Sequence, residues 1–66
     1  MITKSYLTKQ HIRYRQALLL GNRESALDAL WRAASHSDML TPAEHSHTKL
    51  SPARVNALLS RLGWSR

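Results

Sequence analysis

The sequence predicts an all-α protein of three main helices plus one short helix, with no sheet. Three observations carry that expectation. Apolar residues recur at helical spacing in three stretches, and each stretch has a capping residue ahead of it. Alternating apolar runs and Asn-Gly or Asp-Gly hairpin signals are absent. A chain of 66 residues without cysteine has one small core and no disulfide or thiolate-metal staple. Tight helix packing or self-association therefore has to stabilise it.

Residues 1–7 lack periodicity and are expected as a flexible arm, followed by a single helical domain over 8–66. Thr8 is placed to cap a first helix running to about Leu20 and ended by Gly21. Ile12, Ala17, Leu19 and Leu20 give that helix a loose apolar face, which Tyr14 and Leu18 broaden. Asn22 caps a second helix, about Arg23 to Ser35, with Glu24 favourably set in its first turn. Its residues Ala26, Leu27, Ala29, Leu30, Trp31, Ala33 and Ala34 are apolar nearly all round, so this helix is the expected spine of the core. The two-residue link Gly21-Asn22 makes the first two helices antiparallel or steeply crossed neighbours.

Residues 36–50 are polar. Within them Thr41-Pro42-Ala43-Glu44 has a cap, a proline at the first helical position and Glu at the third, the capping-box arrangement. It predicts a short helix through about His47. The last helix has the clearest boundaries. Ser51 can cap its first free N–H groups, Pro52 occupies the first position, and Gly63 stands where a helix exits through a left-handed residue. Trp64 then falls where it can pack back on Leu59. Val55, Leu58, Leu59 and Leu62 make one apolar stripe between these ends.

The net charge of +6 is unevenly spread. Residues 1–23 hold Lys4, Lys9, Arg13, Arg15 and Arg23 with no acid; residues 24–44 hold Glu24, Asp28, Asp38 and Glu44 against Arg32. Residues 45–66 return to Lys49, Arg54, Arg61 and Arg66 with no acid. Basic ends around a mildly acidic middle make DNA or RNA the first candidate partner. Tyr6 and Tyr14 lie among the N-terminal cations, where they can stack on bases. No apolar run approaches the ~18 residues of a membrane span, and no signal-peptide core is evident, so a cytoplasmic protein is expected.

Catalysis finds little support. The four acids form no paired constellation, no cysteine nucleophile exists, and the serines lack a glycine elbow. His36, His45 and His47 read as solvated loop residues rather than zinc ligands, and His11 as an exposed one. No enzyme activity, cofactor or metal is therefore expected.

The second half, helix, Leu-Thr-Pro-Ala-Glu, short helix, then Leu50-Ser51-Pro52-Ala53-Arg54-Val55-Asn56-Ala57-Leu58-Leu59, resembles the helix-turn-helix of winged-helix transcription regulators. The resemblance covers roughly Leu27 to Trp64. It implies that the helix of about 51–62 enters a major groove, with Ala53, Arg54, Asn56 and Ala57 facing the DNA. Arg54 would read guanine and Asn56 adenine. Lys49, Arg61 and Arg66 would meet phosphates, Ser51 would donate to one, and Lys9, Arg13 and Arg15 would add basic contacts. A homodimer is expected, since one short recognition helix seldom gives enough affinity; the first helix, or exposed parts of Leu18 to Leu20, would be the dimer surface. Residues Ala17 to Gly21 followed by Ala26, Leu30-Trp31 and Ala34 also resemble small AraC-antagonist and PerC-like regulators, which act largely through protein contacts. The expectation is a bacterial or phage-type DNA-binding transcription regulator. The alternative is a protein-binding modulator, antagonist or adaptor, docking on a larger regulator, polymerase or nuclease.

Overall fold

Asn22 accepts from the Ser25 N–H at 3.1 Å and so starts the central helix, with Gly21 immediately before it at φ +73°. The computed structural model describes the backbone of residues 2–64 and the side chains from Tyr6 onward, and these residues are all-helical, without strands. Helix α1 spans Ile2–Leu19, α2 Arg23–His36 and α3 Pro52–Leu62; a 3-10 turn at His47–Lys49 precedes α3.

Helices α1 and α2 form a hairpin that packs along its length. Alanines dominate its buried residues: Ala17 on α1 and Ala26, Ala29 and Ala33 on α2. Without long side chains between them, the two backbones can approach closely. Leu30 and Ala34, on the adjacent side of α2, cluster with Leu58 of α3, and Met39, Leu50, Val55, Leu59, Leu62 and Trp64 close around them. Leu30 and Leu58 are the largest fully buried side chains. Each contributes roughly 1.5–3 kcal/mol by leaving water.

All three helices end in the same double-bonded exit. After α1, Asn22 N–H reaches the Ala17 carbonyl at 2.8 Å and Gly21 N–H the Leu18 carbonyl at 3.1 Å. After α2, Met39 bonds Ala34 at 2.9 Å and Asp38 bonds Ser35 at 3.1 Å; after α3, Trp64 bonds Leu59 at 2.8 Å and Gly63 bonds Ser60 at 3.2 Å. This is the Schellman pattern, which satisfies otherwise free carbonyls and needs a left-handed residue at its hinge. Gly21, Asp38 and Gly63 are those residues, and Asp38 does it with a side chain at φ +57°.

The caps of α2 and α3 lie where the sequence places them, and Ser51 accepts from Arg54 N–H at 3.2 Å. Three expectations are corrected. The first helix does not begin behind Thr8. It is already helical at Ile2, and residues 2–7 belong to it rather than to an arm. Tyr6 tilts against His36 at the far end of α2, with ring centroids 4.6 Å apart and planes 38° apart, so tertiary packing along α2 supports the helix where no local cap does. The apolar face of α1 is also turned. Tyr14 and Ala17 face inward, while Ile12 and Leu18 are 51% exposed, Leu19 87% and Leu20 83%.

The third correction is the short helix expected over 41–47. Thr41 does pair with Glu44, whose Oε1 accepts from the Thr41 N–H at 3.0 Å and from its hydroxyl at 3.2 Å. Only a turn follows, and the single 3-10 turn comes later, at His47–Lys49. Glu44, His45 and Thr48 offer no apolar stripe for a helix to bury. The loop is instead held by polar pins. Trp31 Nε1–H donates to the Glu44 carbonyl at 2.8 Å, and Arg54 Nε–H to the Glu44 carboxylate at 2.7 Å. A second Arg54 nitrogen donates to the Met39 carbonyl.

Candidate interaction surfaces

Two surfaces stand apart from the core: the outward face of α3, and the flank of α1 that meets the end of α3. The first presents Ala53, Asn56, Ala57 and Ser60, all exposed and none charged. Ser51 is exposed at its N-terminal end, its hydroxyl engaged as the cap; Lys49 and Arg61 are exposed nearby. Arg54 is not on this face. It is half-buried, with its guanidinium turned to Glu44 and Met39, because the loop needs a donor for the Glu44 carboxylate and for the open carbonyl behind α2. The expected guanine reader is therefore a loop clamp. Arg66 lies outside the described residues.

The other cations divide into paired and unpaired. Arg13 and Arg32 both reach Asp28, at 3.0 and 2.9 Å. His47 lies between Glu24 and Asp28, at 3.4 and 3.6 Å, and so ties the 3-10 turn to α2 rather than standing free in solvent. Among the described residues, Lys9, Arg15, Arg23, Lys49 and Arg61 meet no acid within ion-pair distance. Partial burial pushes the Asp28 carboxyl up; the Arg32 hydrogen bond and the Arg32 and Arg13 charges outweigh that and hold it below its ordinary value. The Arg54 hydrogen bond, followed by the Thr41 N–H, holds the Glu44 carboxyl low as well.

The second surface is built around Trp64. The Schellman exit at Gly63 turns the chain so that the Trp64 ring enters between α3 and α1. There it stacks on His11, with centroids 4.8 Å apart and planes within 10°, and tilts against Tyr14 at 5.4 Å. His11 is thus half-buried rather than exposed, and Tyr14 is committed to this cluster rather than free to stack on bases. A groove of about 650 Å³ opens beside the stack, bounded by Leu18, Leu19, Leu59, Tyr14, Trp64 and Arg15. A smaller hollow of about 230 Å³ lies on the other side, between Leu7, Ile12 and Leu62. The signal was present in the sequence as a second helical stripe on α1, Leu7-His11-Tyr14-Leu18, spaced four, three and four. Nothing local to that stripe names Trp64 as its partner.

Among the described residues no three metal-ligating side chains come together, and no helix is long and apolar enough to cross a membrane. Comparison with protein-family models, with curated proteins and with solved structures finds no match.

Proposed function

We propose that this chain is a small protein-binding modulator that takes a helix of a larger partner onto the flank of α1. The observation that carries this reading is the exposure of Leu18, Leu19 and Leu20 together with Ile12, beside the Trp64 groove. In so small a chain, whose largest fully buried side chains are two leucines, leaving four large apolar side chains half or more in water is costly. Leu18 and Leu19 line that groove and Ile12 the smaller hollow, so the exposed apolar side chains gather on both sides of Trp64, and apolar patches of this kind mark interaction surfaces. A helix-in-groove partner matches a surface made of one helix flank and one helix end. The likeness of residues 17–34 to regulator antagonists points the same way.

DNA binding through α3 is the second reading, and a specific observation favours it. Lys49 and Arg61 are exposed without acids, and the small face of Ala53, Asn56, Ala57 and Ser60 would let the helix lie close in a groove, with Asn56 set to reach adenine. One experiment separates the two. The unaltered protein and Leu19→Glu are used to capture partners from nuclease-treated lysate. A protein held by the unaltered chain and lost with Leu19→Glu supports the modulator. Binding that vanishes with nuclease, and that falls steeply between ~50 and ~200 mM salt on purified DNA, supports the α3 reading instead. Asn56→Ala is the clean probe of that reading, whereas Arg54→Ala would also untie Glu44.

A further inference from the structure

We infer that the partner helix on α1 carries acids on both edges of its apolar face, and that Arg15 and Lys9 select it. This rests on the docking reading above and adds the chemistry of the ligand. At 100° per residue, Ile12 and Leu19 form the outermost line of α1, with Arg15 on the groove side of that line and Lys9 on the opposite side. Both cations are exposed, and neither meets an acid among the described residues. Every other charged residue on the described flanks of α1 is accounted for, since Arg13 is held by Asp28. The surface is therefore an apolar strip with a free cation on each side. From Lys9 to Leu19 it runs about 15 Å at ~1.5 Å per residue, enough for nearly three turns of a docked helix.

A second copy of this chain fits that surface poorly. A two-fold contact brings the same patch to both sides, so Arg15 and Lys9 would face a surface of α1 that holds cations and no acid. Of the four acids, Asp28 is engaged by Arg13 and Arg32 and Glu44 by Arg54, while Glu24 and Asp38 lie on α2 and at its exit rather than on α1. An amphipathic helix with leucines at i, i+3, i+4 and i+7, flanked by carboxylates, meets both demands. Its leucines enter the groove beside Trp64, and its carboxylates reach the two cations.

The test uses three fluorescein-labelled synthetic helical peptides of about 14 residues with identical leucines and with Glu, Gln or Lys at the flanking positions. Each is titrated into the full chain and read by anisotropy, with the Trp64 indole N–H followed by NMR. The Glu peptide should bind about tenfold tighter than the Gln peptide, lose that margin as salt rises, and shift the Trp64 signal. Arg15→Glu, on an exposed position, should keep the circular dichroism of the unaltered chain and reverse the order of the Glu and Lys peptides. Equal binding of all three peptides, unmoved by Arg15→Glu, would overturn the charge selection and leave the docking reading standing. No binding by any peptide, with sedimentation showing a dimer that Leu19→Glu dissociates, would overturn both and assign the flank to a second copy. No binding by a chain that sediments as a monomer would likewise overturn both.

Discussion

Where α1 lies on α2, the buried residues are alanines; where α3 lies against α2, Leu30 and Leu58 fill the space beside Ala34, and polar pins surround them. Ala17, Ala26, Ala29 and Ala33 bring two backbones together without long side chains between them. That contact needs little volume, and it leaves the leucines of α1 free to face outward. At the other end, Leu58 fills the space between helices, and Arg54, Trp31 and His47 tie a polar loop across it. The difference teaches how a chain of this size can carry an apolar surface. The hairpin is secured by small residues, so its large ones are available for something else.

The comparison breaks most sharply at Leu58. Leu58→Ala should cost about 2–5 kcal/mol, because a fully buried leucine leaves a cavity that only partly relaxes. A domain of this length has roughly 3–10 kcal/mol in total. The variant should therefore sit near its unfolding midpoint in water, measurable as a urea transition shifted toward zero denaturant. On the alanine side the opposite change is the informative one. Ala33 is fully buried, and Ala33→Leu should cost about 1–3 kcal/mol by forcing the hairpin apart. By contrast Leu19→Ala, at 87% exposure, should leave the urea midpoint nearly unmoved. A large loss there would mean that Leu19 belongs to the core.

What could be read from residues alone follows the same division. The caps Asn22 and Ser51, the exit at Gly63 and the stripe Val55-Leu58-Leu59-Leu62 were legible, because each is decided within a few residues. The exit through Asp38 was not, since aspartate only occasionally adopts the left-handed region. The facing of α1 was not legible either: leucines at 18–20 signal apolarity, but which side meets α2 depends on the alanines of a different helix. The Thr41–Glu44 pairing was foreseen, but the short helix expected behind it does not form. Arg54, ten residues along the chain, takes the Glu44 carboxylate, and Trp31 takes its carbonyl. For the candidate site, the exposed α3 face was legible only in part: Ala53, Asn56 and Ala57 are exposed on it, but Arg54, expected beside them, turns to Glu44 and Met39. The Trp64 groove needed the packing of both chain ends.

The pins make a smaller prediction with a pH signature. The Glu44 carboxyl is held below its ordinary value by Arg54 and Thr41. A group depressed on folding stabilises the protein above its unfolded value, near ~4.3 for glutamate, and loses that contribution as pH falls through the folded value. Asp28, also held low, acts in the same direction. The urea midpoint should therefore fall between about pH 5 and pH 3. Glu44→Gln should start lower at pH 6 and fall less steeply, with the remaining slope belonging to Asp28. Parallel curves for the two proteins would remove Glu44 as a source of the acid sensitivity.

The smallest effect concerns the two exits on either side of the loop. Gly63 and Asp38 occupy the same place in the same motif, at φ +75° and +57°, and only one is a glycine. A side chain in the left-handed region costs about 1–2 kcal/mol, less for aspartate, and glycine returns part of that through its freer unfolded chain, about 0.5–1 kcal/mol. Asp38→Gly should therefore stabilise the protein by at most about 1 kcal/mol. Gly63→Ala should destabilise it by a similar amount, although a Cβ there meets nothing within 4 Å. Strain rather than crowding is the cause in both, so the two changes combined should nearly cancel in the urea midpoint. If Asp38→Gly instead destabilises, the aspartate contributes more to the turn than its backbone conformation costs.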